Sequence, residues 1–323
     1  MTKYIIARLA GIVPTTLLLL FTVVVLVRLL PGSAIDALEA QAAVAGTTGI
    51  SGEAREALER RLGLDEPLPL QYIEYTWNAA QLDFGRSVLR GEPVTKMIER
   101  TLLPTLMLGV LALAWASVAG MIIGLLSAVT RGTAGDYVMR SLSILGLSIP
   151  NFALATFVIV LPTIWWKWSP PVTYTSFDGS NLWTYVSQFL IPALVLGLAL
   201  SAVVMRLTRT QLLEVLGQDY VRTARAKGLP ERTAVLRHAL PNALIPVVST
   251  LGLEVATLIS GAVLIEAIFG LPGMGRMLLT AISERDYPVI QGIAVVTGMF
   301  VIFANLLVDI SYGWLNPRVR LGA

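Results

Sequence analysis

Long apolar runs alternate with polar connections along the whole chain, the runs lying near Ile5–Leu30, Leu102–Val129, Val138–Trp166, Phe189–Leu207, Ala243–Ile268 and Val289–Tyr312. An α-helix rises about 1.5 Å per residue, so roughly 20 mostly apolar residues cross a hydrocarbon core of about 30 Å. Each run therefore predicts a membrane-spanning helix, and the chain an all-α polytopic membrane protein with six transmembrane helices. The first run is much longer than the apolar core of a secretion signal, and no small-residue cleavage motif follows it. It is read as a retained helix.

The polar connections differ in character. The longest, about 31–101, is too long and too polar to lie in lipid, and the helical spacing of "EAREALERRLGL" predicts a small helical cap outside the membrane. The stretch before it, "AQAAVAGTTGIS", is small and uncharged and reads as a flexible insertion over 40–52. A second connection, "WWKWSPPVTYTSFDGSNLWTY", is dense in Trp and Tyr, residues that mark the membrane–water interface.

A third connection, "DYVRTARAKGLPERTAVLRHALPNALIPVV" from Asp219 to Val248, packs Arg222, Arg225, Lys227, Arg232 and Arg237 between two apolar runs. Asp219 is a suitable N-cap, Tyr220–Lys227 contains no breaker, and Gly228 suits the position after a helix. Leu229-Pro230 then predicts a stop, Glu231 a second helical segment, and Pro241 with Pro246 the start of the fifth span, where proline is tolerated best. Ala224 and Ala226 leave small positions through which another surface can approach closely.

Composition narrows the function. Among 323 residues 55% are hydrophobic and 14% charged, with a mean hydropathy of +0.72, which is a membrane composition. The net charge of +3 is parcelled among the connections: Lys3, Arg8, Arg131, Arg140, Arg206, Arg209, Arg318 and Arg320 share one side with the basic connection. The opposite side holds Lys167, Arg276, Arg285 and the acid-rich first loop, with Glu53, Glu56, Glu59, Asp65 and Glu66. Basic residues favour the cytoplasmic side, so both termini are expected there. The charge thus serves topology, and no nucleic-acid partner is expected. With no cysteine and His238 as the single histidine, disulfides, thiolate sites, cysteine nucleophiles and histidine-cluster metal sites are excluded.

Candidate polar groups within the spans are Glu254 and Glu266 in the fifth and Asp309 in the sixth, with Ser148 and Asn151 beside Pro150 in the third as a locally unwound spot. Ionisable groups there face a cavity or a partner helix. Gly120 and Gly124 form a GxxxG pair suited to close helix packing. The alternative of a secondary transporter or channel not driven by ATP would leave an internal repeat or a buried carboxylate cluster, and neither is evident. An intramembrane enzyme would need a converging Ser/Lys, His/Glu or paired-Asp set, and the spans offer none.

The basic connection resembles the cytoplasmic "EAA" loop of ABC importer permeases: Glu-Ala-Ala, three residues, Gly, nine residues, then Ile-x-Leu-Pro. Gly228 holds the glycine place, His238 the Ile place and Leu240-Pro241 the close, while Arg222-Thr223-Ala224 stands for Glu-Ala-Ala. "DYVRTARAKGL" and "RHALPNALIPVV" are similar to the version in the dipeptide/oligopeptide/nickel importer family. So, in order, are "RLLPG", "LGLDEPLPLQYIEY", "DFGRSV", "GEPVTKMIERTLLPTL", "LSIPNF", "RLTRTQLLEVLGQDY", "SGAVLIEAIFGLPGMGR", "RDYPVIQG" and "NLLVDISYGWLNPRVR", which cover nearly the whole chain.

The resemblance implies a type I ABC importer permease fold in the cell inner membrane, organised as a first helix over 1–31, an extracytoplasmic loop over 32–101, a permease core over 102–317 and a cytoplasmic tail over 318–323. The coupling loop would occupy about 208–242, with Tyr220, Arg222, Thr223, Ala224, Arg225, Ala226, Lys227 and Gly228 docking on an ATPase. Ser148, Asn151, Glu254 and Glu266 would border the translocation path. This chain has no GxxxxGK[ST], so ATP and magnesium would belong to two partner ATPase subunits. A second homologous permease and an extracytoplasmic solute-binding protein would complete the assembly, and the solutes would be peptides or molecules of similar size.

Overall fold

The computed structural model describes residues 2–29, 66–176, 179 and 181–315. The expected cap helix in "EAREALERRLGL", the 40–52 stretch, the tail at 318–323 and the side chain of Asp309 lie outside the described residues. The described helices are α1 (Thr2–Leu29), α2 (Leu68–Ala80), α3 (Val94–Val129), α4 (Ala134–Ser148), α5 (Asn151–Trp166), α6 (Leu182–Leu216), α7 (Asp219–Ala226), α8 (Glu231–Phe269), α9 (Met274–Glu284) and α10 (Tyr287–Leu315). Among the described residues the only extended pairing is an isolated bridge between Arg86 and Pro93.

Several helices outrun their apolar cores. α3 begins at Val94 instead of Leu102, and α6 runs from Leu182 to Leu216 instead of Phe189 to Leu207. Hydropathy marks only the part suited to lipid, whereas backbone hydrogen bonding carries the helix on through polar turns. α2 and α9 are additional short helices that apolar length alone does not reveal.

The third span departs most from expectation. Instead of one helix over Val138–Trp166, α4 and α5 meet at a 98° bend. Pro150 lacks a backbone N–H and forces its predecessor out of helical geometry, and Ile149 sits accordingly at φ −93°, ψ 121°.

Two compact units are distinguishable, one of residues 1–6, 104–271 and 303–323, the other of 7–103 and 272–302. In the first, small residues bring α3 and α6 together. A Cβ on Gly120 would lie 2.6 Å from the Ser201 carbonyl oxygen, one on Gly124 2.7 Å from that of Met205, and one on Gly197 2.6 Å from that of Ala112. The expected GxxxG thus serves close packing. Because Ala112, Gly120 and Gly124 meet Gly197, Ser201 and Met205 in that order, α3 and α6 run parallel. Parallel neighbours require α4 and α5 to return the chain to its starting side. The bent pair therefore counts as one span, and with α1, α3, α6, α8 and α10 the described residues supply six helical elements long and apolar enough to cross a membrane.

In the second unit, Leu20, Val23, Phe84, Val94, Ile98, Val289 and Ile293 form one apolar cluster. "DFGRSV" and "RDYPVIQG" meet beside it: the Ser87 hydroxyl donates to the Asp286 carboxylate, and Val88 N–H donates to the same group at 3.2 Å. Ser87 and Asp286 are both buried, so each satisfies the other where water cannot.

Candidate functional site

The polar connection folds as a compact projection built from the end of α6, the whole of α7 and the start of α8. α6 ends through hydrogen bonds from Gly217 and Gln218 N–H to the carbonyls of Glu214 and Val215. The cap of α7 is Gln218, with no side-chain bond, and Asp219 is its first helical residue. The expected Asp219 cap is thus displaced by one position. Its carboxylate instead lies 3.5 Å from Arg222 in the first turn, where negative charge also suits the helix dipole.

α7 has two faces. Val221 and Ala224, one turn apart, are both buried, and Val221 packs in a cluster with Ala128, Leu212, Val235, Ala239 and Ala243. Burial of a side chain such as Val221 is worth about 1.5–3 kcal/mol, enough to seat this short helix. Tyr220, Arg222, Thr223, Ala226 and Lys227 are exposed on the other side. The expected docking set is therefore divided: Ala224 lets α7 approach its own chain, and Ala226 is the small residue left outside.

The turn after α7 is clasped. Gly228 adopts φ +82°, a left-handed conformation open to glycine, and Leu229 N–H returns to the Ala224 carbonyl at 3.4 Å. Arg225 reaches over this turn and grips both Glu231 carboxylate oxygens, at 2.9 and 2.7 Å. A further bond runs from the Arg225 guanidinium to the Leu216 carbonyl at 3.4 Å. The hydrogen bond to Glu231 pushes the Arg225 pKa above its already high ordinary value, so this charge is permanent.

α8 starts at Glu231 as expected, but Pro241 does not interrupt it. The turn Ala234–Ala239 widens, and Leu240 N–H donates to Val235, five residues back. This wide turn lies just before the proline, whose ring removes a donor and crowds the preceding turn. His238 contributes its backbone: its carbonyl accepts from Tyr220 Oη at 3.4 Å and Asn242 Nδ2 at 3.1 Å, and Asn242 also donates to Tyr220 Oη at 3.0 Å. No metal-ligating group of three or more His, Cys, Asp or Glu occurs among the described residues.

Two turns upstream in α6, Arg209 grips Asp136 at the start of α4 through two bonds of 2.9 Å. Asp136 also accepts from the Ser127 hydroxyl at 2.6 Å and Gly132 N–H at 3.0 Å, and Arg140 stands 3.7 Å away. Asp136 is only 1% exposed. In the sequence Arg209 reads as a topology signal and Asp136 belongs to no candidate motif. The available signal is the acid directly after glycine-rich "RGTAG", placed to accept from a turn.

The candidate path residues are not gathered into one group. Glu266 is fully buried and accepts from Thr105 Oγ1 at 2.6 Å. Glu254 is half-buried on the same helix, about 120° around the axis at 100° per residue. Ser148 and Asn151 flank the α4–α5 break; Ser148 Oγ bonds back to the Ile144 carbonyl at 2.8 Å, and Asn151 Nδ2 reaches the Leu196 carbonyl at 3.4 Å. That break lies beside the middle of α6, and Gly261 of α8 approaches the same place, its Cβ position 2.9 Å from Leu196 and 4.0 Å from Asn151 Nδ2.

Residues 120–321 match the family described as "Binding-protein-dependent transport system inner membrane component". The chain belongs to this family. It is 39% identical over 320 residues to the glutathione transport system permease protein GsiC of Pectobacterium atrosepticum, covering 99% of both chains. It is 37% identical over 342 residues to the dipeptide transport system permease protein DppB of Escherichia coli K12, again covering 99% of each. Among solved structures, an amino acid ABC transporter aligns with 68% of this chain and 94% of its own at TM-score 0.53 and 16% identity. The MetNI methionine ABC transporter aligns with 68% and 96% at TM-score 0.53 and 19% identity, which speaks for the fold. The chain is an ABC importer permease of the dipeptide family, with the type I permease fold.

Proposed function

We propose that this permease forms half of a translocation path for peptides or similarly sized solutes and receives its driving force through α7. The assembly comprises a second homologous permease, two ATPase subunits that hold ATP and magnesium, and an extracytoplasmic solute-binding protein. The observation that carries this reading is the two-faced α7. A helix seated by Val221 and Ala224 and clasped by Arg225 to Glu231 moves as one body with the ends of α6 and α8. Tyr220, Arg222, Thr223, Ala226, Lys227 and the Gly228 turn stay open to a partner.

The Asp136–Arg209 grip extends this mechanical path. It ties the stem of α6 to the α3–α4 turn, so a push on α7 is delivered to two further spans as a rigid displacement. The broken α4–α5 pair supplies an unwound segment halfway along α6, with Ser148 and Asn151 beside it, and discontinuous helices of this kind border transport sites. Glu254 stands nearer the proposed cytoplasmic end of the path, whereas Glu266 steadies α8 against α3 through Thr105. Arg131, Arg140, Arg206 and Arg209 all lie at the α7 end of parallel α3 and α6, which supports a cytoplasmic α7 and cytoplasmic termini.

The test is ATP-driven uptake by the complete complex in liposomes, with Gly228→Val in this chain. Open space surrounds Gly228, so only the backbone resists the substitution. A β-branched residue at φ +82° is strained by about 1–2 kcal/mol or more. The expected result is ATP hydrolysis no longer stimulated by loaded binding protein, with uptake lost. Normal uptake would overturn the docking role of this turn.

A further inference from the structure

α2 carries two apolar stripes. Tyr72, Tyr75 and Ala79 pack on the cluster that contains Leu20 and Val23 of α1. Leu70, Ile73 and Trp77, at the same three-then-four spacing, are 50%, 62% and 69% exposed. Glu74 is the one charged residue in "LPLQYIEYTWNAA". A helix apolar on both sides is not suited to water.

Its height along α1 identifies what covers the outer stripe. Arg28 donates to the Glu66 carbonyl at 2.9 Å, near the end of α1. Tyr72 Oη donates to the Leu17 carbonyl at 3.1 Å, and its ring meets Phe21 edge-on at 5.7 Å. From Glu66 to Tyr72 the chain therefore descends beside α1, reaching a residue about 18 Å below Leu29 at roughly 1.5 Å per residue. Leu17 lies well inside the apolar window Arg8–Leu29. The neighbouring Leu18 and Phe21 of this span are 64% and 47% exposed. The outer stripe of α2 continues this exposed surface.

We propose that α2 is a membrane-immersed helix, its Leu70–Ile73–Trp77 stripe covered by phospholipid in the outer leaflet. This replaces the expectation that the segment before the second span lies wholly in a cap surrounded by water. The extracytoplasmic loop is thereby tethered to the bilayer. The proposal rests on the six spans, and on the proposed orientation only for the choice of leaflet; it is independent of α7.

The chain has no cysteine, which makes site-specific labelling direct. Ile73→Cys and Trp77→Cys would carry a nitroxide in the complete complex in phosphatidylethanolamine–phosphatidylglycerol liposomes, with Leu18→Cys as the reference within a span. Collision with oxygen relative to a water-soluble nickel chelate is expected within about threefold of the Leu18 value at both sites, as for side chains in the acyl region. Chelate collisions dominating at both sites would overturn the proposal in favour of a water-exposed cap. Protection from both reagents only on addition of loaded binding protein would overturn it in favour of a protein-docking surface. Retained ATP-driven uptake by the labelled variants shows a folded complex, and loss of coupling in Gly228→Val bears on the other reading alone.

Discussion

Two arginine–carboxylate grips, Arg209 on Asp136 and Arg225 on Glu231, have nearly the same geometry and opposite surroundings. The side chains of Arg209 and Asp136 are 17% and 2% exposed, those of Arg225 and Glu231 37% and 63%. A buried pair stabilises less than its geometry suggests, but removing one member strands the other charge. An exposed pair is screened by water and contributes about 0–1 kcal/mol. The first grip is therefore a fixed joint between spans. The second is a light clasp that sets the shape of a turn while leaving its cation available to an incoming partner.

Breaking the buried grip has the largest expected effect. Asp136→Asn removes the charge that faces Arg209 and Arg140, and uptake by the reconstituted complex should fall by roughly tenfold or more, with less assembled complex recovered on purification. Exchanging the pair, Asp136→Arg with Arg209→Asp, should restore part of the assembly if the grip itself matters. Next in size is the Gly228 turn. Gly228→Asn, which tolerates a left-handed backbone, should retain much of the coupling that Gly228→Val loses; equal loss in both would point to side-chain crowding instead of backbone strain. Smallest is the clasp: Glu231→Gln should lower thermal stability by less than about 1 kcal/mol. A loss as large as that of Asp136→Asn would erase the contrast between the two grips.

Much of this architecture is legible in the chain because it depends on neighbours in sequence. Apolar length reveals the spans, Gly120 and Gly124 reveal a close helix contact, and Gly228 with Pro230 delimits α7. What stays hidden depends on residues far apart. Asp136 and Arg209 are 73 positions apart, and a basic residue near a span end looks like a topology signal until its partner is seen. Asp219 has the chemistry of a cap, yet Gln218 takes that position and Asp219 becomes the first helical residue. Pro150 announces a disturbance in the third span, whereas the size of the bend depends on how Gly146 and Asn151 pack on α6. The Leu70, Ile73 and Trp77 stripe can be counted in the sequence, but its height beside α1 comes from Tyr72.

The most direct test of force transfer through α7 is a cysteine crosslinking scan between this helix and the ATPase subunits in the complete complex. Cysteine would replace Val221, Thr223, Ala224, Ala226 and Lys227 one at a time, and a short bifunctional thiol reagent would join each to single cysteines on the ATPase surface. Crosslinks from positions 223, 226 and 227, whose yield changes with ATP, and none from buried 221 and 224, are the predicted result. Strong crosslinks from 221 and 224 with none from the exposed face would contradict the account.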